Sequence, residues 1–153
     1  MEVKYINPFL SGMQNVLEML GISGFQRGDL SLQKRLLVRG EVNVLLGFSG
    51  QLRGNIVFSM SEATACGIAG AMMGGMLPGG MDDLAKSALC ELGNMIAGFS
   101  TGQLEQEGIL TQVTPPTLVS GKKLVAIIST VETLVVQFRG ALGTLEVNLA
   151  LEI

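Results

Sequence analysis

Apolar side chains recur at Phe9, Met13, Val16, Leu17 and Leu20 within residues 7–21, the three-and-four spacing of one helix face, behind Asn7 and Pro8 as cap and first-turn residue. The spacing predicts a first amphipathic helix there. From Leu36 to Met60 the pattern becomes extended, with Val42, Val44, Leu45, Leu46 and Phe48 on one side of Gly50 and Ile56, Val57 and Phe58 on the other. Two antiparallel strands joined near Gly50 are expected. Ser61-Glu62 opens a helix reaching about Met73, which the Gly/Pro stretch Gly74–Gly80 ends. A second long helix starts at the capping residue Asp82, with Asp83 at its positive dipole end, and runs to Gln103 or Gln106. Pro115-Pro116 forbids regular structure locally, and three strand-like runs close the chain: Leu118–Thr130 with a turn at Gly121, Glu132–Arg139, and Thr144–Ile153.

The triplet Phe48-x-Gly50-x-Leu52 returns as Phe138-x-Gly140-x-Leu142, each copy followed by an alternating strand and each half preceded by a helix. Gly turns between strands often look alike, so the match is also compatible with coincidence. The expected fold is one α/β domain of the α+β kind over residues 1–153. Its mostly antiparallel sheet is covered by about three helices, with an internal pseudo-repeat of helix plus hairpin.

Composition narrows what such a domain does. Hydrophobic residues are 48 % of the 153 and charged ones 15 %, enough apolar content for a packed core. A net charge of −3, scattered Lys and Arg, a single Tyr and no Trp leave no basic, aromatic-studded surface for nucleic acid. The uncharged run Ala63–Met81 is broken by glycines and Pro78 and reads as a buried helix plus a loop, so no membrane span is expected. The chain opens Met1-Glu2-Val3-Lys4 without the features of a secretory leader, and its two cysteines, Cys66 and Cys90, are far apart; a cytoplasmic protein with reduced, packed thiols is expected. With no His at all, His-based triads, His general bases and His metal ligands are excluded.

At about 100° per residue, Asp83, Ser87, Glu91, Asn94 and Gly98 share one stripe of the long helix, and Ala85, Leu89, Leu92, Ile96 and Phe99 lie opposite. The apolar side is expected to be buried on the sheet. The other side presents a carboxylate and a carboxamide one turn apart, with Gly98 allowing close approach of a partner backbone. Gly93 and Gly98 each cost a helix about 1 kcal/mol relative to Ala, so each requires a packing or access reason. Taken alone, an acid and an amide on an exposed helix face are ordinary solvated residues.

The combination Ser87-x-x-x-Glu91-x-x-Asn94, with Pro116 twenty-two positions after Asn94, resembles the CheC/CheX/FliY family of bacterial chemotaxis phosphatases. Its signature is Asp or Ser, three residues, Glu, two residues, Asn and a later Pro. The likeness extends from Tyr5-Ile-Asn-Pro8 through Ser59-x-Ser-Glu-x-Thr-Ala65 to the final strands and is strongest to the CheX branch. Some members carry two active helices and some carry one. The first helix here has Ser11, Asn15 and Glu18 at the same spacing but with acid and amide exchanged, which points to one working site per chain.

The resemblance implies hydrolysis of the aspartyl phosphate of a phosphorylated CheY-type receiver, with no cofactor of its own and Mg²⁺ supplied by the receiver. It implies that Asn94 orients the attacking water, that Glu91 pairs with a receiver lysine, and that Ser87, Gly98, Pro115 and Pro116 form the partner-binding surface. It also implies a homodimer built by pairing strand edges into a continuous sheet. Two alternatives stay open at the level of sequence: a catalytically idle receiver-binding module, and a structural or flagellar subunit that associates through a sheet edge.

Overall fold

The computed structural model describes residues 2–22, 24–76 and 78–152. Its elements are α1 (Val3–Met19), β1 (Gln26–Gln33), β2 (Leu36–Val38), β3 (Val42–Gly50), β4 (Arg53–Met60), α2 (Glu62–Met72), α3 (Asp83–Gln106), β5 (Thr111–Val113), β6 (Thr117–Ser120), β7 (Ala126–Ser129), β8 (Thr133–Gly140) and β9 (Gly143–Glu152). The main sheet is antiparallel in the order β1-β8-β9-β4-β3, with β5 and β6 both pairing β3 at the far edge. Three helices and an antiparallel sheet make this the expected α+β fold.

One face of the sheet carries the large core. Val44, Leu46, Phe58, Val136, Phe138, Val147 and Leu149 meet Phe9, Met13 and Leu17 of α1 and Leu89, Leu92 and Ile96 of α3, all buried. Phe9 and Phe48 stand edge to face with centroids 5.1 Å apart. On the opposite face the ribbon of β2 and β7 covers Val57 and Ala150 with Leu36 and Val38. Ser100 ties the two long helices, its hydroxyl lying 3.1 Å from the Pro8 carbonyl oxygen and 2.7 Å from that of Ile96.

The first helix begins at Val3 rather than at Asn7, and Pro8 lies inside it. The reading from Asn7-Pro8 relied on the preference of proline for a first turn. Here Tyr5 and Ile6 pack partly against the core, which draws an extra turn into the helix, and the buried Pro8 forgoes one intrahelical bond. Strand β1 carries no alternating pattern because every one of its residues is exposed at the sheet edge. The run Leu118–Thr130 divides into β6 and β7, which belong to different sheets. Strand β5 precedes the prolines unannounced, and Ile153 lies outside the described residues.

The two Phe-x-Gly-x-Leu triplets fall at the ends of the β3–β4 and β8–β9 hairpins, which neighbour each other through β4 and β9. Phe48 and Phe138 are both buried, whereas Leu52 is buried and Leu142 is 37 % exposed.

Candidate functional site

Helix α3 is 24 residues long, about 36 Å at 1.5 Å per residue. Its start is set by Asp82, whose Oδ1 accepts a hydrogen bond of 2.8 Å from the Ala85 N–H, with Asp83 in the first turn. Ala85, Leu89, Leu92 and Ile96 are fully or almost fully buried. Phe99, expected among them, is only half-buried, because the apolar arc is at its edge there.

Ser87, Glu91, Asn94 and Gly98 are all exposed, so the stripe read from the sequence faces solvent as one surface. The two ion pairs among the described residues, Lys4–Glu2 and Arg139–Asp29, lie elsewhere, leaving the Glu91 carboxylate open to a cationic partner.

The two helical glycines serve different ends. A Cβ on Gly93 would come within 3.0 Å of both Leu46 Cδ1 and Val44 Cγ1, so its absence lets α3 sit directly on β3. A Cβ on Gly98 would meet nothing within 4 Å, which leaves that position open. Asn94 therefore follows immediately on the residue at which the helix touches the sheet, so its height above β3 is fixed by packing.

Beside this contact the edge strand breaks. Strands β5 and β6 both run antiparallel to β3, but their register against it shifts by one residue across Thr114-Pro115-Pro116. Thr114 holds the break in place: its Oγ1 accepts from the Gly47 N–H at 2.8 Å, and its own N–H donates to the Gly47 carbonyl at 2.9 Å. The prolines occupy the bulge, where a missing N–H costs no ladder bond. Pro115 is exposed and Pro116 half-buried, at the edge of β3 whose inner face Gly93 rests on.

The corresponding stretch of α1 differs in a way that matters chemically. Asn15 and Glu18 are exposed, but the Asn15 amide donates to the Ser11 carbonyl at 2.8 Å and is held against its own helix. Burial pushes the Cys90 thiol up, and burial aided by Glu62 and Asp82 does the same to Cys66, so neither is an activated nucleophile. Among the described residues no three His, Cys, Asp or Glu side chains converge into a set that could hold a metal, and no helix is long and apolar enough to cross a membrane.

The chain as a whole is similar to known proteins. The model of the family described as chemotaxis phosphatase CheX matches residues 42–139. The chain is 34 % identical over 125 residues to the CheY-P phosphatase CheX of Thermotoga maritima, covering 81 % of this chain and 80 % of that one. Among solved structures, a CheC-like superfamily protein from Shewanella sp. PV-4 is 29 % identical, with all of both chains covered and a TM-score of 0.89. A CheX–CheY–BeF3–Mg²⁺ complex from Borrelia burgdorferi is 27 % identical, covers 99 % of this chain and 100 % of that one, and has a TM-score of 0.81. The matched segment includes the whole of α3 and the proline bulge, and by both measures the chain belongs to the chemotaxis phosphatase CheX family.

Proposed function

We propose that this protein removes the phosphoryl group from the aspartate of a CheY-type receiver, with α3 as the docking element. The single observation that carries the proposal is the solvent-facing pair Glu91 and Asn94 on a helix pinned to the sheet by Gly93. Exposure is what an intermolecular site requires, since both groups must enter another protein's phosphorylation pocket.

The chemistry asks little of the chain beyond position. The Asn94 side-chain carbonyl accepts a hydrogen bond from a water and aligns its oxygen with phosphorus. As the new P–O bond forms, the bond to the aspartyl oxygen breaks, leaving a free carboxylate and inorganic phosphate that carries both of the water's protons until one passes to bulk solvent. Fixing a water in line replaces a random encounter with an oriented one, which lowers the barrier entropically. Glu91 pairs with a lysine of the receiver and holds the helix in register. Ser87, Gly98, Pro115 and Pro116 surround the pair as the remaining contact surface. Mg²⁺ arrives with the receiver, as part of the substrate complex. The protein acts in the cytoplasm, which suits its free cysteines.

Glu91→Ala tests the division of labour. It is expected to raise KM for the phosphorylated receiver about tenfold while changing kcat far less, the signature of lost ground-state binding. A fall in kcat at unchanged KM, read from phosphate release over a range of receiver concentrations, would move Glu91 into the chemical step.

The chain also forms a homodimer by extending its sheet through β1. The other edge is interrupted by Pro115-Pro116, whereas β1 offers eight exposed residues. Leu30 and Leu32 lie opposite the buried Val136 and Leu134 yet are 54 % and 61 % exposed, an apolar strip that a second copy would cover. Light scattering at micromolar concentration is expected to return twice the 16.1 kDa chain mass, and Leu32→Glu to return the chain mass itself. A monodisperse monomer of the parent protein would contradict this.

A further inference from the structure

An open groove of about 670 Å³ lies at the C-terminal end of α3. Thr101 and Glu105 of the helix form one wall, and Gln51, Leu110 and Gln112 form the other. The second wall is held firmly: the Gln51 N–H donates to the Leu110 carbonyl at 2.9 Å, and the Leu110 N–H donates to Gln51 Oε1 at 2.7 Å. A preformed groove of this kind needs no reordering when it is filled.

Its place relative to Glu91 and Asn94 is informative. Thr101 is seven residues beyond Asn94, so it lies about 10 Å further along the axis and only about 20° around it. A protein interface of ordinary size covers about 800 Å² on each partner, a patch of roughly 16 Å radius. A receiver seated with its phosphoryl group at Asn94 therefore covers the near end of the groove at Thr101 and brings its rim to Glu105, about 16 Å along the axis. On the far wall, Gln112 leads within three residues to Pro115, so groove and site share one continuous edge.

The lining has a definite chemical preference. Glu105 is the one charged side chain in it, it is exposed, and it takes no part in either ion pair among the described residues. Leu110 is 59 % exposed and supplies an apolar surface in the same groove. An acid beside an aliphatic face fits a lysine or arginine whose stem lies on the apolar side and whose head meets the carboxylate.

We propose that this groove receives a segment of the same phosphorylated receiver, one that presents a cationic side chain, and that it sets affinity and partner choice rather than the rate of the chemical step. The inference rests on the docking reading above.

The test is steady-state phosphate release at increasing receiver concentration. Glu105→Lys combined with Leu110→Ser is expected to raise KM about tenfold with kcat within twofold of the parent. Rising ionic strength should raise KM more steeply for the parent than for the Glu105→Lys variant, because screening weakens the Glu91 attraction in both but weakens a second attraction in one and a repulsion in the other. Glu105→Gln alone, which removes only the charge, should raise KM about threefold and keeps the test sound should the double variant lose its fold. Unchanged KM in these variants, with Asn94→Ala inactive, would overturn the groove and leave the docking reading standing. A loss confined to kcat would overturn the groove equally. Full activity in Asn94→Ala would mean that the docking reading had failed and the groove with it.

Discussion

Asn94→Ala is expected to reduce phosphate release from the phosphorylated receiver to the receiver's own rate, a loss of acceleration of about 100-fold or more. The side chain is exposed on α3, so truncating it opens no cavity, and Ala is the better helix former by roughly 0.5 kcal/mol. Thermal stability should hold or rise slightly. Binding to a receiver locked in its phosphorylated form by beryllofluoride should also hold, because Glu91 and the surface around it are untouched. The loss should therefore fall on kcat, with KM little changed. A parallel fall in binding would recast Asn94 as a contact residue and remove it from the water-positioning role.

Gly54→Ala should have the largest effect on stability of any conservative change in the sheet. Gly54 is the second residue of β4, just after the turn at Gln51-Leu52, with φ of 143°, a conformation that glycine alone adopts readily. A Cβ built there would lie 1.9 Å from the carbonyl oxygen of Ala150 and 3.0 Å from the Cα of Leu151. Both obstacles are backbone of β9, paired to β4 at this point, and no rotamer change relieves the clash. Either β4 and β9 separate locally or the turn is rebuilt, at a cost of about 3–5 kcal/mol. In a domain of this size that lowers the melting temperature by roughly 10 °C or more, measurable by calorimetry or circular dichroism. A melting temperature within about 2 °C of the parent would show that the turn rearranges freely.

The elements legible in the sequence are those whose local signals coincide with their tertiary roles. Ser61 and Asp82 start α2 and α3 because each caps in the way its side chain allows, the Ser61 hydroxyl accepting from the Thr64 N–H at 3.1 Å. The α3 stripe was readable because a helix packed on one side leaves the other to solvent, so periodicity alone sorted Leu89, Leu92 and Ile96 from Glu91 and Asn94. What stayed hidden depends on distant partners. Strand β1 exists because β8 offers it an edge, and its residues Gln26–Gln33 bury nothing that would reveal it. Strand β5 is three residues long, and its pairing to Phe48, Ser49 and Gly50 is a long-range event.

The site divided along the same line. Glu91-x-x-Asn94 was recognisable as a motif, but the reason for Gly93 was visible only once Val44 and Leu46 lay beneath it. Pro115-Pro116 marked a break in regular structure, yet only the register shift against β3 identifies that break as a bulge held by Thr114 and Gly47. The groove ending at Leu110 had no sequence signal beyond the spacing of Thr101 from Asn94, because its far wall is completed by Gln51 of the β3–β4 turn, some sixty residues before Leu110.

The central claim is that this chain accelerates loss of the phosphoryl group from a receiver, and stopped-flow detection of inorganic phosphate tests it most directly. A CheY-type receiver is charged with acetyl phosphate, the excess donor is removed, and release is followed with and without catalytic amounts of the protein. The expected result is a rate that rises in proportion to the protein added and turns over many receivers per chain. Release at the receiver's own rate, alongside measurable binding to the beryllofluoride-locked receiver, would contradict the phosphatase reading and identify the chain as a binding module.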